Sequence, residues 1–241
     1  MDSIPRWFEG VRLNWAENLL FSPSSANSSQ QSKLGKEDAK IALTEVREGC
    51  TEIRHVSWGD LRSKVGRLSN AMASRGVRSG DRVAVVASNS VDTLVVLLAV
   101  TTLGGIFSSS STDMGTKGVL DRLLQIRPKW VFVDDWAVYN GKTVDLRPKM
   151  KEIEEGMRGV EEFEGLVSMP RFQERPEKVE SVPRATTLAG YLEHGKGDET
   201  LRFEKMAFHD PFLIVYSSGT TGVPKVGKHN PLFTVLDADL A

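Results

Sequence analysis

The run Arg82-Val-Ala-Val-Val-Ala87, set between Gly80 and Asn89, constrains the fold more than any other stretch. A Val-rich run without polar alternation suits a strand covered on both faces, as in a parallel sheet. The pattern around it repeats that theme. Ile41–Val46 and residues 51–56 read as two strands, turned at Arg47-Glu-Gly49. Ser57, with Asp60 three residues on, resembles a capping box. The helix it opens carries Leu61, Val65, Leu68 and Met72 on one face, and Gly76 is placed to stop it. Ser90 can cap a second helix that runs to about Leu103 and ends at Gly104-Gly105. Residues 108–115, rich in Ser and Thr, read as a turn region. A helix over Thr116–Ile126 shows Val119, Leu123 and Ile126 on one face, and Pro128 marks its end. Residues 130–133 and Gly165–Met169 read as strands, and residues 146–157 as a helix. Residues 170–187 are charged and hold three prolines, which predicts a loop. A short helix over 187–194 and an apolar strand over 212–216 follow. This alternation predicts an α/β fold: a layered, largely parallel sheet flanked by helices.

Composition narrows the partners. The chain has 241 residues, enough for one large domain or two small ones with a real core. The 31 basic and 32 acidic residues leave a formal charge of −1, so no electrostatic field points to nucleic acid or a membrane surface. Met1-Asp-Ser-Ile-Pro-Arg6 lacks the basic and apolar regions of a signal peptide. The most apolar stretch, residues 93–107, is broken by Thr101, Thr102, Gly104 and Gly105, so no membrane span is expected. The one cysteine, Cys50, has no internal disulfide partner, which fits a reducing, cytoplasmic compartment. Ser22 to Ser32 is polar and low in complexity and is expected to be a disordered linker.

The chemistry-bearing motif lies at Tyr216-Ser-Ser-Gly-Thr-Thr-Gly-Val-Pro-Lys225. Gly219 and Gly222 let a backbone approach a ligand closely and take positive φ. Ser217, Ser218, Thr220 and Thr221 offer hydroxyls, and backbone N–H groups of such a run donate to phosphate oxygens. Lys225 adds a mobile positive charge. The spacing fits neither the Walker loop nor the dinucleotide fingerprint. By composition alone, a flexible surface turn is the competing reading.

The whole ten-residue string resembles the signature loop of the adenylate-forming acyl-CoA synthetases. The likeness extends to Ser57-Trp-Gly-Asp-Leu61, to Gly80-Asp-Arg-Val-Ala-Val85 and to Gly104-Gly-Ile-Phe107. Residues 6–20 resemble the N-terminal segment of the acetyl-CoA and acetoacetyl-CoA synthetase branch. Asn14 to Leu20, Phe107-Ser-Ser-Ser-Ser111, Gly118-Val-Leu-Asp-Arg122 and Val138-Tyr-Asn-Gly-Lys142 favour the acetoacetate side of it, with an acetyl- or propionyl-CoA synthetase relative as the alternative. The resemblance implies a two-step ligase. A carboxylate, acetoacetate or another short acid, attacks the α-phosphate of ATP, and coenzyme A takes the acyl group. Mg²⁺ and fixed donors would stabilise the charge on the oxygens. Ser217, Ser218, Gly219, Thr220, Thr221, Gly222 and Lys225 would bind the β- and γ-phosphates.

The resemblance also divides the chain. Residues 1–21 correspond to the end of the N-terminal segment, 22–36 to a disordered linker, 37–225 to part of an adenylation domain and 226–241 to a divergent tail. Gly227 and Lys228 are expected to spoil the strand that follows the loop in this family. The family's catalytic lysine and magnesium-associated glutamate match nothing after Lys225. The expectation is therefore a fragment, inactive alone, with a non-catalytic regulatory form as the reading from another class.

Weaker candidates have plain structural readings. Residues 108–112 are polar donors near a ligand or, more simply, a cap and turn before the next helix. His55, His194, His209 and His229 lack ligand-like spacing, so no metal site is expected. Trp7, Trp15, Trp58, Trp130 and Trp136 read as packing residues, and the acidic run from Glu152 to Glu155, with Glu161, Glu162 and Glu164, as a solvated face.

Overall fold

The Val-rich run is the centre of the sheet. The computed structural model describes residues 8–24, 31–50, 52–172, 174–175, 178–217, 225–229 and 236–237. The first half holds α1 (Trp15–Leu20), β1 (Ile41–Val46), β2 (Ile53–Ser57), α2 (Trp58–Ser74), β3 (Arg82–Val86), α3 (Val91–Thr102) and β4 (Ile106–Ser110). The second holds α4 (Thr116–Ile126), β5 (Trp130–Asp134), β6 (Trp136–Tyr139), β7 (Lys142–Asp145), α5 (Arg147–Met157) and β8 (Gly165–Met169). It closes with β9 (Ala185–Thr187), α6 (Leu188–Glu193), β10 (Leu213–Ser217) and β11 (Lys225–His229).

Six strands run parallel in the order β9-β8-β5-β3-β4-β10. The sheet continues antiparallel through β11 and the two-residue strand Leu236–Asp237. β3 lies between β4 and β5, with Val83 opposite both Phe107 and Trp130. The period-two pleat splits the core into two layers. Val83, Val85, Phe107, Trp130, Phe132 and Val167 pack with α1, α2, α3 and α6. Ala84, Val86, Ile106, Val131, Val133, Leu166 and Ile214 pack with α4 and α5 on the other face. Full burial of an aliphatic or aromatic side chain contributes about 1.5–3 kcal/mol, and Leu61, Leu98, Phe132, Met150 and Ile153 are each at most 1% exposed.

Local signals place the helices. Ser57, Ser90 and Thr187 each accept a backbone N–H as N-caps of α2, α3 and α6. The Ser57 hydroxyl also donates to the Asp60 carboxylate at 2.7 Å. Gly76 ends α2 at φ +78°, the left-handed conformation that glycine adopts without strain. Gly66 meets a different demand: a Cβ there would lie 2.0 Å from the Glu199 carbonyl oxygen. Asn14 is buried; its amide donates to the Thr101, Thr102 and Glu204 carbonyls while its oxygen caps α1. It fastens the N-terminal segment to the end of α3 and to the approach to β10.

Several expectations change. The Ser-rich stretch from 108 is not all turn: Ser108, Ser109 and Ser110 complete β4, because β3 offers partners on one side. Ser108 also pairs with Ile214 on the other. Small side chains fit between neighbouring strands, and the turn begins only at Ser111. The loop expected over 170–187 ends in β9, which extends the sheet beside β8. β6 and β7 form a hairpin that no apolar alternation announced. The ends of the expected linker pair as Ser22–Pro23 with Gln31–Ser32; residues 25–30 lie outside the described residues. Gly227 and Lys228 do not interrupt β11, since their backbone pairs with β10 on one side and with Leu236–Asp237 on the other. Among the described residues no helix is long and apolar enough to cross a membrane.

Candidate functional site at the carboxyl edge of the sheet

In open α/β sheets, ligands sit beyond the carboxyl ends of the strands, where neighbouring connections leave toward opposite faces. Here β3 leads into α3 on one face, while its neighbours β4 and β5 lead toward α4 and α5 on the other. The carboxyl ends of β3, β4, β5 and β10 therefore share one edge of the sheet.

Polar groups gather at that edge. Asp134, at the end of β5, is buried and accepts from the Ser88 N–H and hydroxyl, both at 2.8 Å. Burial pushes its carboxyl up to about 6, and the Ser88 bonds offset that only in part. Arg47 donates to the Ser88 hydroxyl at 3.2 Å, bringing the β1–β2 turn to the same place. Asp135 is fully buried, accepts from the Arg171 N–H at 2.7 Å, and keeps its other oxygen without a protein partner. Burial raises its pKa as well. The Trp136 indole is flanked by the guanidinium groups of Arg147 and Arg175, each 4.9 Å from its centre.

The exit of β4 is tied down. The Lys149 ammonium, from α5, donates to the Thr112 carbonyl at 2.6 Å and the Met114 carbonyl at 2.8 Å. Burial lowers its pKa. The Ser111 hydroxyl donates to the Asp113 carboxylate. Gly115 is the N-cap of α4 and makes no side-chain capping bond, so the Ser cluster does not cap that helix.

The glycine-rich motif begins at this edge. β10 runs parallel to β4, Leu213 opposite Phe107 and Ile214 opposite Ser108. It then pairs antiparallel with β11, Ser217 opposite Lys225. Thus Ser217 and Lys225 face each other as backbone partners across the base of the motif, with β4 and β3 lying between β10 and the strand that ends at Asp134. Ser218, Gly219, Thr220, Thr221 and Gly222 lie outside the described residues, as do the side chains of Ser217 and Lys225.

A family profile described as "AMP-binding enzyme" matches residues 31–229. The chain belongs to the AMP-binding enzyme family. Among its relatives in that family, the acetoacetyl-CoA synthetase of Gallus gallus is 38% identical over 230 residues, 94% of this chain and 32% of that protein. A malonamoyl-CoA synthetase of Penicillium aethiopicum is 35% identical over 96% of this chain and 31% of its own length. The solved acetoacetyl-CoA synthetase of Streptomyces lividans superposes with a TM-score of 0.77 at 30% identity, over 93% of this chain and 31% of that one. This member of the AMP-binding family thus spans about a third of the length of the relatives it matches.

The structure also sorts the remaining candidates. Trp15 stacks on Phe212 at 5.2 Å, and Trp130 packs edge-on to Tyr191 at 5.0 Å, as packing residues would. Trp7 lies outside the described residues. His55 pairs with the Thr44 hydroxyl, and His209 is exposed beside Asp210. The acidic run is not wholly a solvated face: Glu154 is buried between Arg158 at 2.8 Å and Arg184 at 3.0 Å. A helix face is exposed only where nothing docks on it, and Arg184 arrives from 30 residues away. Sequence reasoning gave no role to Asp134, Lys149 or Arg122. The one available signal was Asp134-Asp135 directly after an apolar strand.

Proposed function

We propose that this chain forms the phosphate-binding part of an adenylation site, in a ligase that activates acetoacetate with ATP and passes the acyl group to coenzyme A. The observation that carries this reading is the position of the Ser217–Lys225 pair at the carboxyl edge, beside the exit of β4. A run of Gly, Ser and Thr based there offers N–H and hydroxyl donors where a parallel sheet places ligands. Ser217, Ser218, Gly219, Thr220, Thr221, Gly222 and Lys225 hold the β- and γ-phosphates, and Lys225 offsets their charge. The acid attacks the α-phosphate to give an acyl-adenylate and pyrophosphate, and a thiolate then displaces AMP. Donors fixed in place before reaction lower the barrier by meeting charge as it develops. Among the described residues no group of three His, Cys, Asp or Glu side chains could hold a metal ion.

The acid is the finer point. Both named activities among the relatives use short acids with a carbonyl group on the β-carbon, acetoacetate and malonamate. Acetate is the natural contrast. The 241-residue chain is expected to bind ATP and to lose that binding on Lys225→Ala. It is expected to give no exchange of labelled pyrophosphate into ATP alone, with acetoacetate, malonamate or acetate. Exchange with acetoacetate would overturn the proposed inactivity and fix the acid. Unaltered ATP binding by Lys225→Ala would remove the basis for the phosphate site.

A further inference from the structure

Tyr216 is the last residue of β10 before Ser217, and its side chain points into the layer built by α4 and α5. Its hydroxyl donates to the Arg122 backbone carbonyl of α4 at 2.9 Å. The Arg122 guanidinium lies over the Tyr216 ring, 5.1 Å from its centre, and donates to the Gly118 carbonyl at 2.8 Å. One residue of α4 therefore holds both the edge and the face of the ring. Burial pushes the phenol up to about 12, so it remains a hydrogen-bond donor at every ordinary pH. Lys149, from the same layer, holds the exit of the neighbouring β4 through two carbonyls. Two adjacent strand exits are thus tied from one side, each by a cation whose position is itself set by a helix.

We propose that Arg122 and Tyr216 are a positioning pair: they fix the carboxyl end of β10 at the point where the glycine-rich run begins. A phosphate-binding run works only if its donors are held before the ligand arrives. β10 pairs with β4 through Leu213 and Ile214 alone, so its last residues have no parallel neighbour. The helix contact replaces that missing ladder. A phenylalanine would keep the ring under the guanidinium and lose the bond to the helix. A lysine at 122 would keep the charge and lose the planar stack. The consequence for phosphate binding rests on the function proposed above; the mechanical role does not.

Hydrogen exchange by mass spectrometry on the 241-residue chain tests the pair. In Tyr216→Phe, amides of residues 213–217 and 225–229 are expected to exchange about fivefold faster, the loss of roughly one hydrogen bond. Amides of β3 and β5 should keep their wild-type rates. A uniform rise across the sheet, or none, would overturn the proposal, because an ordinary core tyrosine has no reason to act on β10 and β11 alone. If Tyr216→Phe does not fold, Arg122→Lys is judged by the same pattern. Pyrophosphate titration then separates the two readings. Wild-type chain that fails to bind pyrophosphate counts against the phosphate site, while the exchange pattern still decides the pair. If wild type binds, Tyr216→Phe should weaken binding by a similar factor.

Discussion

Glu154 and Asp134 are both buried carboxylates on the same α/β scaffold, and their surroundings treat them in opposite ways. Glu154, near the amino end of the sheet, receives Arg158 and Arg184, whose hydrogen bonds hold its carboxyl below the usual range despite burial. Asp134, at the carboxyl end, has two bonds from neutral Ser88 and is pushed up to about 6. The unpartnered Asp135 oxygen and Trp136 indole nitrogen lie next to it. The amino end is built from matched charges that hold chain segments together, as Lys129 also does with Asp81 at 3.6 Å and Glu164 at 3.3 Å. At the carboxyl end, Asp134 and Asp135 are buried carboxyls that no cation pairs directly, and burial raises both pKa values. Proteins keep such groups where binding or catalysis uses them.

Glu154→Ala is the strongest way to break the comparison. It leaves two guanidinium groups without their carboxylate, and an expected loss of about 3 kcal/mol follows from unpairing a buried ion pair. Arg158 and Arg184 are 55% and 35% exposed, so water recovers part of the cost. Denaturant unfolding measures it, and a loss under about 1 kcal/mol would show that the amino end is no better matched than the other.

Asp134→Asn sharpens the contrast through pH. A carboxyl raised from 3.8 to about 6 gives stability that is fully present below the lower value and is lost as pH rises through the upper one. Between pH 4 and pH 7 the variant should therefore gain about 2 kcal/mol relative to wild type. Urea unfolding at both pH values tests this, and a pH-independent difference would mean that Asp134 ionises without penalty. Lys149→Met should cost about 1 kcal/mol, because two carbonyls lose a charged donor. Amide exchange should rise over residues 111–115 and stay unchanged over Ala185–Thr187. Equal changes at both places would erase the distinction between a tied loop and general destabilisation.

Much of the scaffold was legible because its signals are local. Ser57, Ser90 and Thr187 cap their helices through their own side chains, and Leu61, Val65, Leu68 and Met72 repeat at helical spacing. Thr116–Ile126 and Gly165–Met169 have the predicted bounds. The failures have one cause. Ser108, Ser109 and Ser110 have turn composition, yet β3 and β10 supply hydrogen-bond partners far away in sequence. β9 is a strand because β8 lies beside it. The glycine-rich run at 216–225 stands out in the sequence, whereas the contacts that hold the strand before it do not. Nothing local to Arg122 signals a role, because its partner Tyr216 lies 94 residues away in sequence.

The sequence by itself determined the α/β class and the helix faces and caps. All of these depend on neighbours within a few positions. Only the tertiary structure decided which strands adjoin, and so which polar groups share the carboxyl edge. It also decided that Glu154 meets two arginines while Asp134 meets none in direct contact. Burial and pairing are properties of distant segments brought together, and a charge costs or stabilises according to what that folding sets beside it.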